Sequence, residues 1–370
     1  MKRIKTSELI PGYVLAEDVY TFGGQLILPK GLVLNDRVIT RLEFYSILSV
    51  RVEDEMNTSE IETEVNTSKE TATISPEDIS LSTTITQSKD YIEFKNNFDN
   101  TLEDFRSQLN NVLESNSDIN VDSLMGNTKA LINQAKNSSF STMDMLCNMR
   151  QYDDLTFAHC LNVSLICNVF AGWLKLSEED TNILTLCGLL HDLGKLKIPD
   201  SIIKKPDKLT SDEYQIVKTH TVEGYKLLSA KNIDTRIVNA ALMHHEKCDG
   251  SGYPFGLTAE KIDSFAKIVA IVDVYDAMTS ARIYRGPLCP FRVIELYENE
   301  GLQKYDAYFI MTFLENVSNT YLHYQCRLSD GRLGKIIFIN KNNLSKPIVK
   351  CGTDIVDLSK ERDLHVDEII

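Results

Sequence analysis

Residues 183–195 read ILTLCGLLHDLGK, an apolar run that ends in a histidine–aspartate pair. Upstream, Ser177 and Asp180 have a spacing that resembles a capping box, a pattern that starts helices. Apolar side chains then recur at helical spacing as far as His191 and Asp192. The stretch therefore predicts a buried helix with two polar side chains about 100° apart at its end.

Five of the seven histidines and two aspartates lie within little more than a hundred residues. Imidazole and carboxylate groups suit borderline divalent metals such as iron, manganese or zinc. Seven such side chains exceed one tetrahedral site but can hold two adjacent ions. One histidine on an apolar face is more often a core residue, but seven candidates with two adjacent pairs favour a metal site. The predicted ligands are His159, His191, Asp192, His220, His244, His245 and Asp273.

The local sequence indicates how some of these side chains reach the metals. A carboxylate next to an imidazole on a helix can bridge two ions, and this is the role expected of Asp192. The adjacent His244 and His245 offer the same divergence from a later helix. Asp273 lies in the apolar stretch 268–274, where an unpaired carboxylate would be costly, so it requires a metal or a hydrogen-bond donor.

Lys195 follows the first ligand pair closely enough to act with it. If the helix persists, Lys195 lies four residues after His191 and shares its face, where its ammonium can neutralise charge on a phosphate under attack. A surface lysine before the next loop is the alternative. Gly194 offers a stop for the helix.

A shaped loop and two arginines follow the histidine pair. Residues 246–254 read EKCDGSGYP, and this density of glycine and proline predicts a defined loop beside the metals. In it, Tyr253 can donate a hydrogen bond or stack on a base, unless it only packs. Arg282 and Arg285 can clamp a phosphate or pair with a guanine edge, and a surface salt-bridge pair is the alternative.

The composition is that of a globular protein with an acidic surface, with 43% hydrophobic residues and a formal net charge of −14 over 370 residues. This charge argues against general nucleic-acid coating, which needs a basic face, but permits a small phosphorylated substrate. The eight cysteines form no C-x-x-C pair, so we interpret them as reduced thiols of a cytoplasmic protein. Neither a signal region nor an apolar run of about 18 residues is found, so no membrane segment is expected.

Changes in composition divide the chain into five segments. Short apolar runs between turns predict a small strand-rich unit over residues 1–55, and the Ser-, Thr- and Glu-rich stretch 56–90 predicts a flexible linker. Helical spacing of aromatic and leucine residues predicts a connector over 91–154, which packs on the next domain or dimerises. Residues 155–325 form the mostly helical ligand-bearing domain, and a Ser-Asp-Gly turn predicts a β-like extension over 326–370.

The sequence around the predicted ligands resembles HD-GYP domains, a subfamily of the HD-domain phosphohydrolases. Residues 191–195, HDLGK, match the H-D-x-G-K pattern. Residues 244–254, HHEKCDGSGYP, match the extended HD-GYP pattern, and residues 273–285, DVYDAMTSARIYR, are also similar. The resemblance is specific over about residues 150–325.

The resemblance implies a mainly α fold, an HD-type helical bundle, beside the small β-containing N-terminal unit and the short β-like C-terminal extension. It implies a metal-dependent phosphodiesterase that hydrolyses cyclic di-GMP, a bacterial second messenger, to linear pGpG. The seven ligands would hold two divalent ions, with iron or manganese favoured, which activate a water as hydroxide. Asp192 and Lys195 would act catalytically, with Lys195 on the scissile phosphate. Tyr253, Arg282 and Arg285 would contact the dinucleotide.

Two positions depart from the family pattern. Some members carry a glutamate four residues before the first ligand histidine, where it helps to hold a third metal, and this chain has Leu155. We therefore predict two ions rather than three, which leaves open whether the product is cut further to GMP. Ala259 stands where a glycine is common in the loop after the motif.

Two alternative functions stay open. The first is an HD enzyme that cleaves another cyclic or linear nucleotide, which the loop and the arginine pair disfavour by resemblance. The second is a catalytically weak adaptor that binds cyclic di-GMP, with diguanylate cyclase (GGDEF) proteins as partners. The complete ligand set and Lys195 disfavour it. A homodimer is a further expectation, and neither a nucleic-acid polymer nor a membrane is an expected partner.

Overall fold

The structure, a computed structural model, divides into two compact units, one of residues 1–79 with 205–210 and one of residues 80–204 with 211–370. Among the described residues, no helix is both long and apolar enough to cross a membrane. The described residues are 2–6, 9–20, 26–35, 38–39, 41–42, 47, 49–53, 80–115, 118–149, 156–203, 205, 209–280 and 287–370.

The first unit contains two short antiparallel strand pairs. Strand β1 (Lys2–Lys5) pairs with β4 (Ser49–Val52), and β2 (Val19–Tyr20) pairs with β3 (Leu26–Leu28). Their apolar side chains share one small core, of which Leu15 is a fully buried member. The small β-containing N-terminal unit is thus confirmed.

The second unit is mainly helical, as predicted. A 3₁₀ turn covers Leu193–Lys197, a second covers Ala259–Lys261, and a π-helical turn covers Tyr297–Gly301. The α-helices are α1 (Leu81–Gln87), α2 (Lys89–Ser115), α3 (Val121–Lys136), α4 (Thr142–Cys147), α5 (Phe157–Trp173), α6 (Glu178–Leu190), α7 (Asp200–Ile203), α8 (Ser211–Lys218), α9 (His220–Ser229), α10 (Thr235–Met243), α11 (Ser264–Thr279), α12 (Pro290–Leu296), α13 (Leu302–Lys304) and α14 (Ala307–Thr320).

The helical part begins earlier than the sequence suggested. The expected linker ended at residue 90, but the Oγ of Ser80 accepts a hydrogen bond from the amide of Thr83 at 3.0 Å and caps α1. Hydroxyl side chains therefore start a helix here instead of keeping the chain solvated. Ile85 is fully buried and anchors this helix. Residues 56–79 of the expected linker lie outside the described residues.

Helix α2 has the apolar face that its sequence period predicts. Five side chains at three- to four-residue spacing are at most 5% exposed, and Phe105 meets Phe157 of α5 edge-on at 5.6 Å between ring centroids. This face therefore packs against the next domain of the same chain, which was the first of the two alternatives; the second was a dimer contact. The five side chains are Phe94, Phe98, Leu102, Phe105 and Leu109.

Helices α5, α6 and α11 form the apolar centre of the second unit. Leu161, Leu190 and Val272 are fully buried there. A Cβ on Gly188 of α6 would lie 2.8 Å from the Cα of Ser164 on α5, so the glycine permits a close crossing of the two helices. The backbones of α5 and α6 are thus closely packed, and this packing fixes the positions from which their side chains project.

Helix α6 ends sooner than predicted. His191 is the last residue with helical backbone angles, and Asp192 (φ −99°, ψ 9°) leads into the 3₁₀ turn. Gly194 does not end the helix. A Cβ at this position would overlap the carbonyl oxygen of His220 and the amide nitrogen of Gly224, so its role is the close approach of α9 to the turn.

The C-terminal part is a five-stranded antiparallel sheet. Its strand order is β8-β7-β6-β5-β9, and the turn before β6 contains Gly331 at φ +88°. The carboxylate of Glu298 in the π-helical turn accepts a hydrogen bond from the amide of Leu344 at 2.6 Å, which fastens the sheet to the helices. The strands are β5 (Gln325–Leu328), β6 (Leu333–Phe338), β7 (Ile348–Cys351), β8 (Asp354–Asp357) and β9 (Val366–Ile369).

Candidate metal centre

The structure brings all seven predicted ligands together in the second unit. His159 lies in the first turn of α5, Asp273 lies in α11, and His220 begins α9. The remaining four follow the C-terminal ends of α6 and α10. The ligand atoms form two groups, each with all atoms within 4.8 Å of one another: Asp192, His220, His244 and His245 in one, and His159, His191 and Asp273 in the other.

Asp192 lies between the two groups and presents one carboxylate oxygen to each. Its Oδ1 is 3.3 Å from the Nε2 of His220 and 3.6 Å from that of His244. Its Oδ2 is 3.4 Å from the Nε2 of His191 and 3.8 Å from that of His159. A carboxylate in this position is suited to bridge two cations, as the adjacent pair in the sequence predicted.

Asp273 also reaches both groups. Its Oδ1 is 3.0 Å from the Nε2 of His159, and its Oδ2 is 3.7 Å from the Nδ1 of His245. The carboxylate is nearly buried in an apolar helix, so these imidazoles are the partners that its position required.

Three of the histidines are oriented by backbone carbonyls at helix ends. The Nδ1 of His191 donates to the carbonyl of Gly188 at 2.7 Å, and that of His220 donates to the carbonyl of Val217 at 2.7 Å. The Nδ1 of His244 faces the carbonyl of Ala240 at 3.0 Å. Because Nδ1 carries the proton in each ring, the Nε2 lone pair faces the centre and is available to a metal.

Asp276 holds His159 and was not among the predicted site residues. Its Oδ2 lies 2.7 Å from the Nδ1 of His159, and its Oδ1 accepts a hydrogen bond from Ser280 at 3.1 Å. Asp276 follows Asp273 by three residues, which places both carboxylates on one face of α11. That spacing is the signal in the sequence that could have identified it.

The pKa values of the centre favour neutral imidazoles and charged carboxylates. Burial lowers the pKa of His220 to about 3, and burial likewise lowers the pKa of His245 well below its usual value. Burial alone would raise the pKa of Asp192, but the Lys195 ammonium holds it well below its usual value. Neutral imidazole and ionised carboxylate are the protonation states that bind metals.

His159 behaves differently in the absence of a cation. Burial alone would lower its pKa, but hydrogen bonds to Asp273 and Asp276 raise it to about 9. Its Nε2 would therefore release a proton to solvent when it becomes a ligand.

The donor set fits divalent cations. Among the described residues, the Nε2 of His191 and the Oδ1 of Asp192 are buried and have no hydrogen-bond partner. Leaving such groups unsatisfied costs roughly 1–3 kcal/mol each. A divalent ion in each group would be bound by atoms that are already buried and already directed at it.

Lys195 reaches the centre by a route other than the predicted one. Because α6 ends at residue 190, Lys195 lies on the 3₁₀ turn rather than one helical turn after His191. Its Nζ still lies 2.5 Å from the Oδ2 of Asp192, and the side chain is 26% exposed. The ammonium is thus at the open side of the centre, where a phosphate could meet it.

The glycine-rich loop after the histidine pair is folded back onto that pair. The buried carboxylate of Glu246 accepts hydrogen bonds from the amides of Phe255 at 2.7 Å and Leu257 at 2.9 Å. Gly252 lies so close to the backbone of residues 245–247 that any side chain would overlap it. Glu246 is a second residue whose role the sequence did not disclose, and it fixes the shape of the loop.

Tyr253 is held by this loop against the metal ligands. Its ring stacks on the imidazole of His245 with 4.7 Å between centroids, and its amide donates to the carbonyl of His245 at 3.2 Å. Burial raises the pKa of Tyr253 well above its usual value, so its phenol stays protonated and can donate a hydrogen bond. The predicted contacts Arg282 and Arg285, and the departure at Leu155, lie outside the described residues.

Several known proteins are similar in sequence to the part of the chain that contains the candidate metal centre. Residues 128–308 match the family model of the HD domain. A cyclic di-GMP phosphodiesterase of Pseudomonas aeruginosa is 35% identical over 207 residues, which are 55% of this chain and 50% of that protein. A 3′3′-cGAMP-specific phosphodiesterase of Vibrio cholerae is 39% identical over 145 residues, which are 39% of this chain and 34% of the relative. Several further relatives are named cyclic di-GMP phosphodiesterases.

The fold also has a solved counterpart. An HDG"Y"P protein of Bdellovibrio bacteriovorus superposes over 85% of this chain and 99% of that chain, with a TM-score of 0.52 and 15% sequence identity. The chain spans about half or less of the length of the curated relatives named above. Residues 128–308 of this chain are thus similar to HD domains, and its histidine pair and Gly-Tyr-Pro loop match the pattern of HD-GYP domains.

Proposed function

We propose that this protein is a metal-dependent phosphodiesterase that hydrolyses cyclic di-GMP to linear pGpG. The position of Asp192 is the observation that carries the proposal. Its two oxygens face two separate groups of ligands, and the Lys195 ammonium lies on the same carboxylate. A centre for two cations with a lysine at its open side is suited to a phosphodiester.

The seven clustered side chains would hold two divalent ions, and we propose iron or manganese. The donor set of five imidazoles and two carboxylates supports these metals because it is intermediate in softness and contains no thiolate. When bound, the ions would polarise the phosphate and lower the pKa of a water to near neutrality.

The residues of the chain would contribute charge and orientation. Lys195 would approach a phosphoryl oxygen and neutralise charge that develops as the phosphorus is attacked. The protonated phenol of Tyr253 would donate a hydrogen bond to the substrate or stack on a base. Arg282 and Arg285 stay predicted contacts of the dinucleotide. Leu155, in place of a glutamate, supports two ions rather than three and leaves open whether pGpG is cut further to GMP.

Two alternatives to this proposal are kept, and a specific observation favours the first. The Vibrio relative that is named for 3′3′-cGAMP supports a mixed cyclic dinucleotide as the substrate. The adaptor alternative, with GGDEF proteins as partners, would require binding without turnover. We also propose a cytoplasmic location, which is supported by the proposed substrate, an intracellular messenger, and by the eight free cysteines.

The test is one sample taken through three measurements. Protein purified without oxygen is analysed for metal, loaded with iron or manganese, and assayed on cyclic di-GMP and 3′3′-cGAMP with separation of the products. We expect about two ions per chain and pGpG as the main product. Tight binding of cyclic di-GMP without any product would support the adaptor instead.

Asp192→Ala tests the bridging carboxylate directly. Because both ligand groups lose a donor, we expect loss of bound metal and at least a hundredfold loss of activity. Asp212→Ala, at an exposed aspartate of α8, is the matched control and should change neither. Full metal content and full activity in Asp192→Ala would exclude the proposed mechanism.

A further inference from the structure

Lys218 is a cation beside the metal centre to which the sequence pattern assigned no role. It ends α8, two residues before His220. Its Nζ lies 5.3 Å from the ring centroid of Tyr214, one helical turn earlier, and 5.1 Å from that of Tyr253. An ammonium near two aromatic faces is attracted to both rings by cation–π interactions.

The tyrosine that Lys218 contacts is also part of the centre. The ring of Tyr253 stacks on His245, one of the clustered imidazoles, at 4.7 Å and an interplanar angle of 27°. The ammonium and the imidazole therefore contact the same ring. Because the loop that Glu246 shapes fixes Tyr253, the ammonium lies beside a ring whose position relative to the ligands is set by the fold.

The charge at this position suits a second anionic group of the substrate. A cyclic dinucleotide contains two phosphodiesters, and Lys195 and the metals can serve only the one that is cleaved. The other phosphate keeps its negative charge throughout the reaction. In a chain with a net charge of −14, a positioned ammonium near the centre offsets the general repulsion of such a dianion.

We propose that Lys218 binds the phosphate that is not cleaved, and so selects cyclic dinucleotides over esters with one phosphate. This inference rests on the proposed function. Lys218 would act on binding rather than on chemistry, since its partner phosphate has the same charge in the ground state and the transition state. It is a specificity-determining residue, distinct from Lys195.

The test compares two substrates in three variants. Lys218→Met keeps the apolar stem on the two rings and removes the charge, whereas Lys218→Arg keeps the charge. Lys226→Met is the matched control, because Lys226 is a largely exposed lysine of α9 that pairs with Glu223. Metal-loaded proteins are assayed on cyclic di-GMP and on bis(p-nitrophenyl) phosphate, which has a single phosphodiester.

For Lys218→Met we expect KM for cyclic di-GMP to rise by about tenfold with kcat within about twofold, and activity on the one-phosphate ester to stay unchanged. Lys218→Arg should restore most of the affinity, and Lys226→Met should match the unsubstituted protein. Equal losses on both substrates would show a structural role, and no loss on either would show no role. Both outcomes overturn the inference.

The same assay separates this inference from the proposed function. If the unsubstituted protein cleaves bis(p-nitrophenyl) phosphate but no cyclic dinucleotide, the proposed function fails, and the role of Lys218 in binding a second phosphate fails with it. If the unsubstituted protein cleaves cyclic di-GMP and Lys218→Met does so with unchanged KM, only the inference about Lys218 fails.

Discussion

Some residues of the centre could be predicted from the sequence and others could not. The seven clustered donors could be predicted because histidines are few in this chain and two of them are adjacent. Asp276 was missed although its spacing of three residues from Asp273 predicts one shared helix face, because the sequence does not show which histidine that face meets. The role of Glu246 was not predicted because its hydrogen-bond partners are backbone amides, and the spacing of side chains in the sequence carries no information about them.

Asp276 gives the prediction at this scale. A carboxylate on the Nδ1 of a ligand histidine fixes the ring and raises the basicity of Nε2. Asp276→Asn removes the charge but not the size, so we expect metal affinity and phosphodiesterase activity to fall by about 10- to 100-fold. Competition with a chelator of known affinity measures the first, and product formation at saturating metal measures the second.

Ser280→Ala is the control for that substitution. It removes the hydrogen bond of Ser280 to the other oxygen of Asp276 and leaves His159 its carboxylate, so its effect should be much smaller. Asp276→Asn with unchanged affinity for metal would show that the contact to His159 is only structural.

At the scale of elements, the centre is assembled from helix ends. Four of the seven donors follow α6 and α10, where carbonyls of the last turns accept hydrogen bonds from the imidazoles of His191 and His244. The sequence correctly predicted a helix that leads to His191, but it placed the end of that helix too late, at Gly194. Apolar spacing alone does not distinguish an α-helix from the 3₁₀ turn that follows Asp192. Lys195 reaches Asp192 through that tighter turn.

The crossing of α9 over this turn supplies the prediction for elements. Gly194→Ala places a methyl group against the backbone of His220 and Gly224, which side-chain rearrangement cannot relieve. We expect a loss of about 1–3 kcal/mol in the free energy of unfolding, and reduced activity because the two elements carry His220 and Lys195. Urea unfolding of the chelator-treated protein measures the first.

Gly126→Ala is the matched substitution in open space. Gly126 lies inside α3, and no atom lies within 4 Å of where its Cβ would be. Alanine should therefore stabilise the protein by about 0.5–1 kcal/mol, the usual difference from glycine in a helix. If Gly194→Ala were as stable as Gly126→Ala, the close approach would not be a constraint.

For the whole molecule, composition and pattern predicted a mainly helical protein with β-rich ends, and the structure agrees. The boundary at residue 90 was wrong because hydroxyl-rich segments serve as helix caps as readily as linkers, as Ser80 does. The assembly of one centre from α5, α6, α9, α10 and α11 could not be derived from periodicity, since it depends on how helices pack. The sequence did predict which polar side chains are buried next to one another, namely the seven proposed metal ligands.

That shared burial makes the stability of the metal-free protein depend on pH. Burial lowers the pKa of His220 to about 3 and lowers those of His244 and His245, whereas in the unfolded chain these groups titrate near about 6.5. Below about pH 6.5 the unfolded state therefore binds protons that the folded state does not, and stability falls with falling pH. His159, whose pKa is raised to about 9, is protonated in both states there, so its contribution is constant below about pH 6.5.

We therefore expect chelator-treated protein to melt at a lower temperature at about pH 5 than at about pH 6.5, and most carboxylates of the unfolded chain are ionised at both values. His220→Gln removes one of the imidazoles that must stay neutral, so the difference in melting temperature between the two pH values should shrink. Saturating manganese should raise the melting temperature at both pH values, and more at about pH 6.5, because protons compete with the metal for the same nitrogens. A metal-free protein equally stable at both pH values would mean that these histidines are not buried in neutral form.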